Sequence, residues 1–287
     1  HTRHLSVSWA RRCVFETVSI FKLLGLRISS LVGGKLFEFI GPLFRSKNII
    51  EKNIQIVFPN MSSIEISRIK KQMWNNYGRV FAEYMFIKDF RGEKFASNIK
   101  IEGQEILNEI KKNNQSVVFI SGHFANFELM AMHLEKTGIE LAAIYRPLNN
   151  IFINNIMVRI RKKYICKNQI KKGLGGVKKL LGFKKKNFST ALMIDQRVSE
   201  GIQSGFFNKK ALTTTIPGQL IKKFDIPVVP IHIERISNIN FKITINKPIH
   251  FSSETSLKEI TDKLNIVLEK MVIINPSQWI WSHNRWK

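Results

Sequence analysis

His123 and Glu128 stand five residues apart in the segment Ser121-Gly122-His123-Phe124-Ala125-Asn126-Phe127-Glu128. A carboxylate bonded to one imidazole nitrogen fixes the tautomer and leaves the other nitrogen as a base. On an unbroken helix, five residues turn through about 140°, so the two side chains would not share a face. They meet only if His123 lies in a turn and Glu128 in the first turn of a following helix. Gly122 supplies the flexible turn. The helix start would also offer free backbone N–H groups to a developing oxyanion. The expected chemistry is general-base catalysis, with His123 taking a proton and Glu128 orienting it. Two further groups belong to the same rim. One is Asp195-Gln196-Arg197; the other is Arg146, in Tyr145-Arg146-Pro147. Asp195, Gln196, Arg146 and, further along, Arg161 are the candidate substrate-binding residues. A guanidinium suits phosphate or carbonyl oxygens.

These residues need elements to carry them. Ser116–Ser121 is a short apolar run typical of a buried strand, and Phe127–Lys136 has helical periodicity. Further strands are expected at Ile139–Tyr145, Thr190–Asp195, Ile226–Glu234 and Phe241–Ile245. Helices are expected at Ile151–Lys163, Ile216–Phe224 and Leu257–Val272, and a long one over residues 62–87. The last begins with a capping box, Ser62 and Glu65, just after Phe58-Pro59. Alternating apolar strands and helices predict an α/β fold with a largely parallel sheet. In such sheets ligands bind at the carboxyl ends of the strands, where His123, Arg146 and Asp195 all fall.

The charge balance is lopsided: 46 Lys and Arg against 21 Asp and Glu give +25 over 287 residues. Between Glu140 and Asp195 there is no acidic residue, while thirteen Lys and Arg lie in the gap, from Arg146 to Lys186. That stretch is expected to form a positive surface for anionic partners. Nucleic acid is not among them, because that use would leave the apolar leader and the strand-end histidine without a role.

The leader is a mostly apolar run from about Phe15 to Phe44, preceded by Arg3, Arg11 and Arg12. Glu16, Lys22, Arg27, Lys35 and Glu38 interrupt it, so it lacks the ~20 predominantly apolar residues of a span. An interfacial helix fits better, its basic residues reaching lipid phosphates. The expected organisation is a membrane-associated helical segment over 1–45 and a catalytic domain over 46–287.

Other chemistries lack their residues. The two cysteines, Cys13 and Cys166, make neither a disulfide framework nor a zinc site. No G-x-S-x-G elbow, Walker A, G-x-G-x-x-G or H-E-x-x-H motif occurs. Gly173-Leu174-Gly175-Gly176 is too short and is not expected to follow a strand. His133 and His232 read as packing histidines.

Taken in order, these residues resemble the lipid A biosynthesis lauroyl/myristoyl acyltransferases of Gram-negative bacteria, in the wider lysophospholipid-acyltransferase-like group with its H-x4-D/E motif. The resemblance runs from about residue 15 to the end. It rests on Asn53 with Phe58-Pro59, Gly78 and Glu83, the segment 123–128, Tyr145-Arg146-Pro147, and Arg161. It continues through Asp195-Gln196 with Gly201, Phe206-Phe207, Thr214 and the closing segment 278–287. Asn208 stands where the family usually has Gly. The resemblance implies acyl transfer from an acyl-carrier-protein thioester to a hydroxyl of a phosphorylated, Kdo-bearing lipid A precursor. It implies no cofactor, no metal and no covalent intermediate. The implied place is the cytoplasmic face of the inner membrane, against an anionic lipid surface. A second reading is a related acyltransferase acting on another membrane glycolipid or aminolipid.

Overall fold

The structure, a computed structural model, describes residues 2–45, 47–148 and 150–287; the side chains at 2–15, 17, 47, 151, 152 and 174 lie outside that description. The expectations placed on Arg3, Arg11, Arg12 and Cys13 therefore fall outside the described side chains. The helices are α1 (Thr2–Phe44), α2 (Lys47–Val57), α3 (Ser63–Glu83), α4 (Ile87–Arg91), α5 (Gln104–Lys112), α6 (Glu128–Lys136), α7 (Ile151–Ile160), α8 (Leu174–Lys185), α9 (Ile216–Phe224) and α10 (Leu257–Ile274). The strands are β1 (Ile99–Glu102), β2 (Val118–Ser121), β3 (Leu141–Tyr145), β4 (Asn168–Lys171), β5 (Ser189–Met193), β6 (Ile202–Phe206), β7 (Lys209–Thr213), β8 (Val228–Ser237) and β9 (Asn240–Ile245).

Seven strands form one sheet in the order β1-β9-β8-β2-β5-β3-β4. Every pairing is parallel except the antiparallel β8–β9 pair. The fold is thus the expected α/β arrangement with a largely parallel sheet flanked by helices. All four residues of β2 are buried, as its unbroken apolar run requires for a strand covered on both faces.

Two strands that the sequence did not announce, β1 and β4, are the sheet's edges. Edge strands are short and polar, and the sequences Ile-Lys-Ile-Glu and Asn-Gln-Ile-Lys carry no alternating apolar signal of useful length. Because β4 exists, Gly173-Leu174-Gly175-Gly176 does follow a strand and opens α8, contrary to expectation. The hairpin β6–β7, a separate two-stranded sheet, likewise lies outside the expected strands. Its two-residue loop places Phe207 and Asn208 in the left-handed region (φ 49° and 58°), which Asn adopts more readily than other side chains after Gly.

The expected capping box starts α3: Ser62 Oγ accepts from Glu65 N–H (3.3 Å), and Glu65 accepts from Ser62 N–H (3.0 Å). Helix α1 packs along α3. It is broken at Gly25, whose φ of 74° and ψ of 165° leave helical geometry. Beyond the break, Ser30, Gly33, Phe37 and Gly41 recur at helical spacing and face α3, and Leu26 and Ser29 are buried beside them. Among the described residues no helix is long and apolar enough to cross a membrane.

The closest approach of α1 and α3 is at Gly33 and Gly78, where a Cβ on Gly78 would overlap the Gly33 carbonyl oxygen. Gly78→Ala should therefore lower stability by about 1–3 kcal/mol, the usual range for overpacking, despite the ~1 kcal/mol helix preference of Ala over Gly. The midpoint of urea denaturation measures it, and an unchanged or raised midpoint would show that the helices can part without cost.

Candidate active site

Strands β2 and β5 lie side by side in parallel, with Ser121 opposite Met193. Two residues beyond each end stand His123 and Asp195, separated by the same 72 positions that set the strand register. The register itself therefore makes them neighbours. His123 Nδ1–H donates to Asp195 Oδ1 at 2.8 Å, the proton sitting on Nδ1 because an ionised carboxylate only accepts. Asp195 Oδ2 accepts from the His123 backbone N–H (2.8 Å) and from Trp279 Nε1–H (3.0 Å). Asp195 is buried, while the His123 side chain keeps 19% of its surface exposed. Nε2 has no protein partner among the described residues, so it is the nitrogen left for chemistry.

The loop between β2 and α6 is tied down at successive residues. Phe124 forms an isolated antiparallel bridge with Trp279, and Ala125 N–H donates to Gln278 O (3.0 Å). Ala125 is held at φ 39°, a left-handed conformation that costs a non-glycine residue about 1–3 kcal/mol. Asn126 Nδ2 donates to Glu83 Oε2 (3.0 Å). Glu83 is fully buried on α3, where it also accepts from Ser30 Oγ–H (2.7 Å) and from both terminal nitrogens of Arg235 (2.5 and 3.1 Å). One carboxylate thus joins α1, α3, β8 and the histidine loop.

The hydrogen bond expected between Glu128 and His123 is not formed. Glu128, in the first turn of α6, accepts instead from Arg161 Nε (2.9 Å) and Nη2 (2.5 Å). The cause is twofold. Asp195 already occupies Nδ1 by strand register, and the largely buried Arg161 guanidinium, in the turn after α7, needs a carboxylate beside it. Asp195 and Arg161, both expected to bind substrate, are thus engaged by protein partners. Gln196 follows Asp195 at the sheet edge, half-buried, and makes no side-chain hydrogen bond among the described residues. Arg146 is exposed and lines a cleft that also holds His283 and Arg197. The thirteen-cation stretch is not one surface, since Arg161 is paired and Lys184 is buried against Ser116. His133 bonds Gln104 (2.9 Å) and His232 packs edge-on against Phe124, both as packing histidines.

The family described as bacterial lipid A biosynthesis acyltransferase matches residues 1–287, the whole chain. The chain belongs to that family. It is an acyltransferase of lipid A biosynthesis. Lipid A biosynthesis acyltransferase 2 of Shigella flexneri is 23% identical over 253 residues, covering 86% of this chain and 80% of that one. The lipid A biosynthesis palmitoleoyltransferase of Escherichia coli K12 is 24% identical over 254 residues, covering 85% and 80%. Among solved structures, the 1-acyl-sn-glycerophosphate acyltransferase PlsC of Thermotoga maritima aligns over 89% of this chain and all of that one, with 17% identity and a TM-score of 0.43.

In this acyltransferase the electrostatics of the pair are set by burial and charge together. Burial alone would depress the His123 pKa, but the Asp195 charge and hydrogen bond outweigh it and raise it above the ordinary 6.5. Burial would likewise raise Asp195, but His123 and the other donors hold its carboxyl below the usual range. Glu128 is close enough that its charge also raises His123. The residues missed from sequence are Glu83, Gln278 and Trp279 in these roles; their one signal was their place in the ordered series of the family resemblance.

A raised imidazole pKa means that the proton is held more tightly, so the neutral base exists only above that value. Acyl transfer should fall on the acid side with a limb above pH 6.5. Asp195→Asn removes the charge, so the limb should move to lower pH while the rate drops by up to about 10⁴-fold through loss of the correct tautomer. A pH–rate profile of both proteins checks it; an unmoved limb would remove Asp195 from the assignment.

Proposed function

We propose that this acyltransferase moves a fatty acyl chain from an acyl-carrier-protein thioester to a hydroxyl of a phosphorylated, Kdo-bearing lipid A precursor. His123 acts as general base with Asp195 as its orienting carboxylate. The observation that carries this reading is the Asp195–His123 pair at the carboxyl edge of the sheet, with Nε2 unpartnered among the described residues. Nε2 takes the proton of the acceptor hydroxyl as its oxygen attacks the thioester carbonyl. The tetrahedral oxyanion is stabilised by the Phe127 and Glu128 main-chain N–H groups at the start of α6, which among the described residues make no main-chain hydrogen bond, whereas Leu129 and Met130 N–H already donate to Asn126 O (3.1 Å) and Phe127 O (3.2 Å). Collapse expels the carrier-protein thiolate, which takes up the proton held on His123. Arg161 and Glu128 form a neutralised wall beside the pair, and no side chain needs to carry the acyl group.

The reading also places the enzyme on the cytoplasmic face of the inner membrane. Support comes from α1, which turns Leu23 (88% exposed), Phe39 (77%) and Leu43 (84%) away from the protein. Large exposed apolar side chains, here on both sides of the break at Gly25, are characteristic of an interaction surface, and the acceptor is itself a lipid. Lys22 and Arg27 lie on the same helix, suited to lipid phosphates, while Lys35 pairs with Glu38 (3.2 Å).

One reaction tests the chemistry: purified protein, a panel of acyl-carrier-protein thioesters, a labelled lipid A precursor, and mass spectrometry of the product. Wild type should add one acyl chain, and His123→Ala should be slower by roughly 10²–10⁴-fold. Near wild-type transfer by that variant would overturn the base assignment. For the membrane, Phe39→Glu with Leu43→Glu should reduce sedimentation with anionic vesicles by about tenfold or more, as two buried apolar side chains are lost from the bilayer contact. Unchanged co-sedimentation would take α1 out of the contact.

A further inference from the structure

Glu83 is fully buried on α3, and its two oxygens face different parts of the molecule. The Arg235 guanidinium holds both as a fork, with Nη1–H on Oε1 (2.5 Å) and Nη2–H on Oε2 (3.1 Å). Each oxygen then accepts one more bond. Oε1 takes Ser30 Oγ–H of α1 (2.7 Å), and Oε2 takes Asn126 Nδ2–H of the histidine loop (3.0 Å). A bidentate pair fixes the plane of a carboxylate as well as its place. Within that plane the two oxygens are rigidly joined, so a shift of the Ser30 hydroxyl is felt at the Asn126 amide. Ser30 is itself aimed, because its Oγ accepts from Arg79 Nη1–H (3.2 Å).

The Asn126 end carries the consequence. Its side chain is buried, and among the described residues Oδ1 has no hydrogen-bond partner, so the bond to Glu83 is the tether of that amide. A buried acceptor left unmet lowers stability, and such a group in a native fold calls for a role. Asn126 follows Ala125, at φ 39°, and stands between His123 and the Phe127 and Glu128 N–H groups. The base and the donors for the oxyanion thus lie on either side of one tethered residue. A left-handed backbone in a residue with a Cβ persists only where its surroundings hold it. The second hold on the loop leads to the same arginine. Ala125 N–H donates to Gln278 O (3.0 Å), and the Gln278 side-chain amide brackets the Arg235 main chain, accepting from its N–H (2.7 Å) and donating to its carbonyl (2.8 Å).

We propose that Glu83 is a positioning residue for acyl transfer, and that through it the seating of α1 sets the alignment of His123 with the oxyanion donors. The inference rests on the reading of His123 as the base. Glu83 touches no reacting group; it acts through Asn126, and loss of the link displaces the loop without emptying the site. Helix α1 is then part of the catalytic device as well as a contact surface, because the helix that carries Leu23, Phe39 and Leu43 also carries Ser30.

The test uses Ser30→Ala and Asn126→Ala, singly and together, in the whole chain. Both leave the Glu83–Arg235 pair in place, so neither strands a buried charge. A small misplacement of catalytic groups costs up to about 10²-fold, so kcat should fall roughly 10²-fold in Asn126→Ala and about tenfold in Ser30→Ala, with the KM for each reactant within about twofold of wild type. Both changes cut one link, so the double variant should be no slower than Asn126→Ala. Leu107→Ala, a buried truncation on α5, is the control: its melting temperature should fall while kcat holds. Wild-type kcat in Ser30→Ala and Asn126→Ala, with only the melting temperature lowered, makes the cluster purely structural and overturns the proposal. Additive losses in the double variant, a change in KM alone, or a matching loss of kcat in Leu107→Ala overturn it as well. The cycle is measured with His123 in place. Near wild-type transfer by His123→Ala therefore removes the base assignment alone, and the coupling of Ser30 to Asn126 is judged by its own rates.

Discussion

The buried carboxylate of Asp195 is the constraint on which the rest of the site depends. Removing an ionised carboxylate from water costs several kcal/mol unless donors replace the lost hydration. Three N–H groups do so: the His123 main chain, the His123 ring and the Trp279 indole. Each comes from a different constraint. The main-chain donor aligns the loop after β2, the ring donor sets the imidazole plane and tautomer, and the indole ties in the segment after α10. The same three bonds that make the charge tolerable thereby give the imidazole its orientation.

Glu83 repeats the logic one layer away. It is as deeply buried, it is matched by Arg235, and its remaining capacity goes to Ser30 and Asn126. Asn126 lies in the loop that carries His123, while Ser30 lies on α1. The leader is therefore joined to the reactive loop through a single side chain of α3. Three acids divide the work: Asp195 sets the ring, Glu83 sets the loop, and Glu128 balances Arg161. Arg161 in turn lies about 6.0 Å from the Tyr145 ring, against which its cationic plane is favourably placed.

The sheet, the long capped helix and the position of His123 at a strand end were legible because they rest on local signals: apolar runs, helical period, a capping box. The edge strands β1 and β4 were not, since edges are only half covered and their sequences stay polar. The partner of His123 was misread for a different reason. Glu128 is near in sequence, but proximity in sequence says little once a turn intervenes. Asp195 is near only because β5 lies next to β2, and strand order across a parallel sheet is a tertiary fact that periodicity does not encode. Asp195 was visible as a polar residue closing an apolar strand; what it faced was not. The charge count likewise pointed to an anion-binding surface without showing that Arg161 and Lys184 are withdrawn from it.

Joining positions 72 residues apart has a kinetic side. A parallel pairing closes only after its intervening crossover has collapsed, so such contacts come late as a chain folds. The imidazole thus acquires its oriented, more basic form near the completion of folding. A nascent or partly opened chain carries the histidine without the geometry that orients it, so the Asp195–His123 pair and the integrity of the sheet arise together.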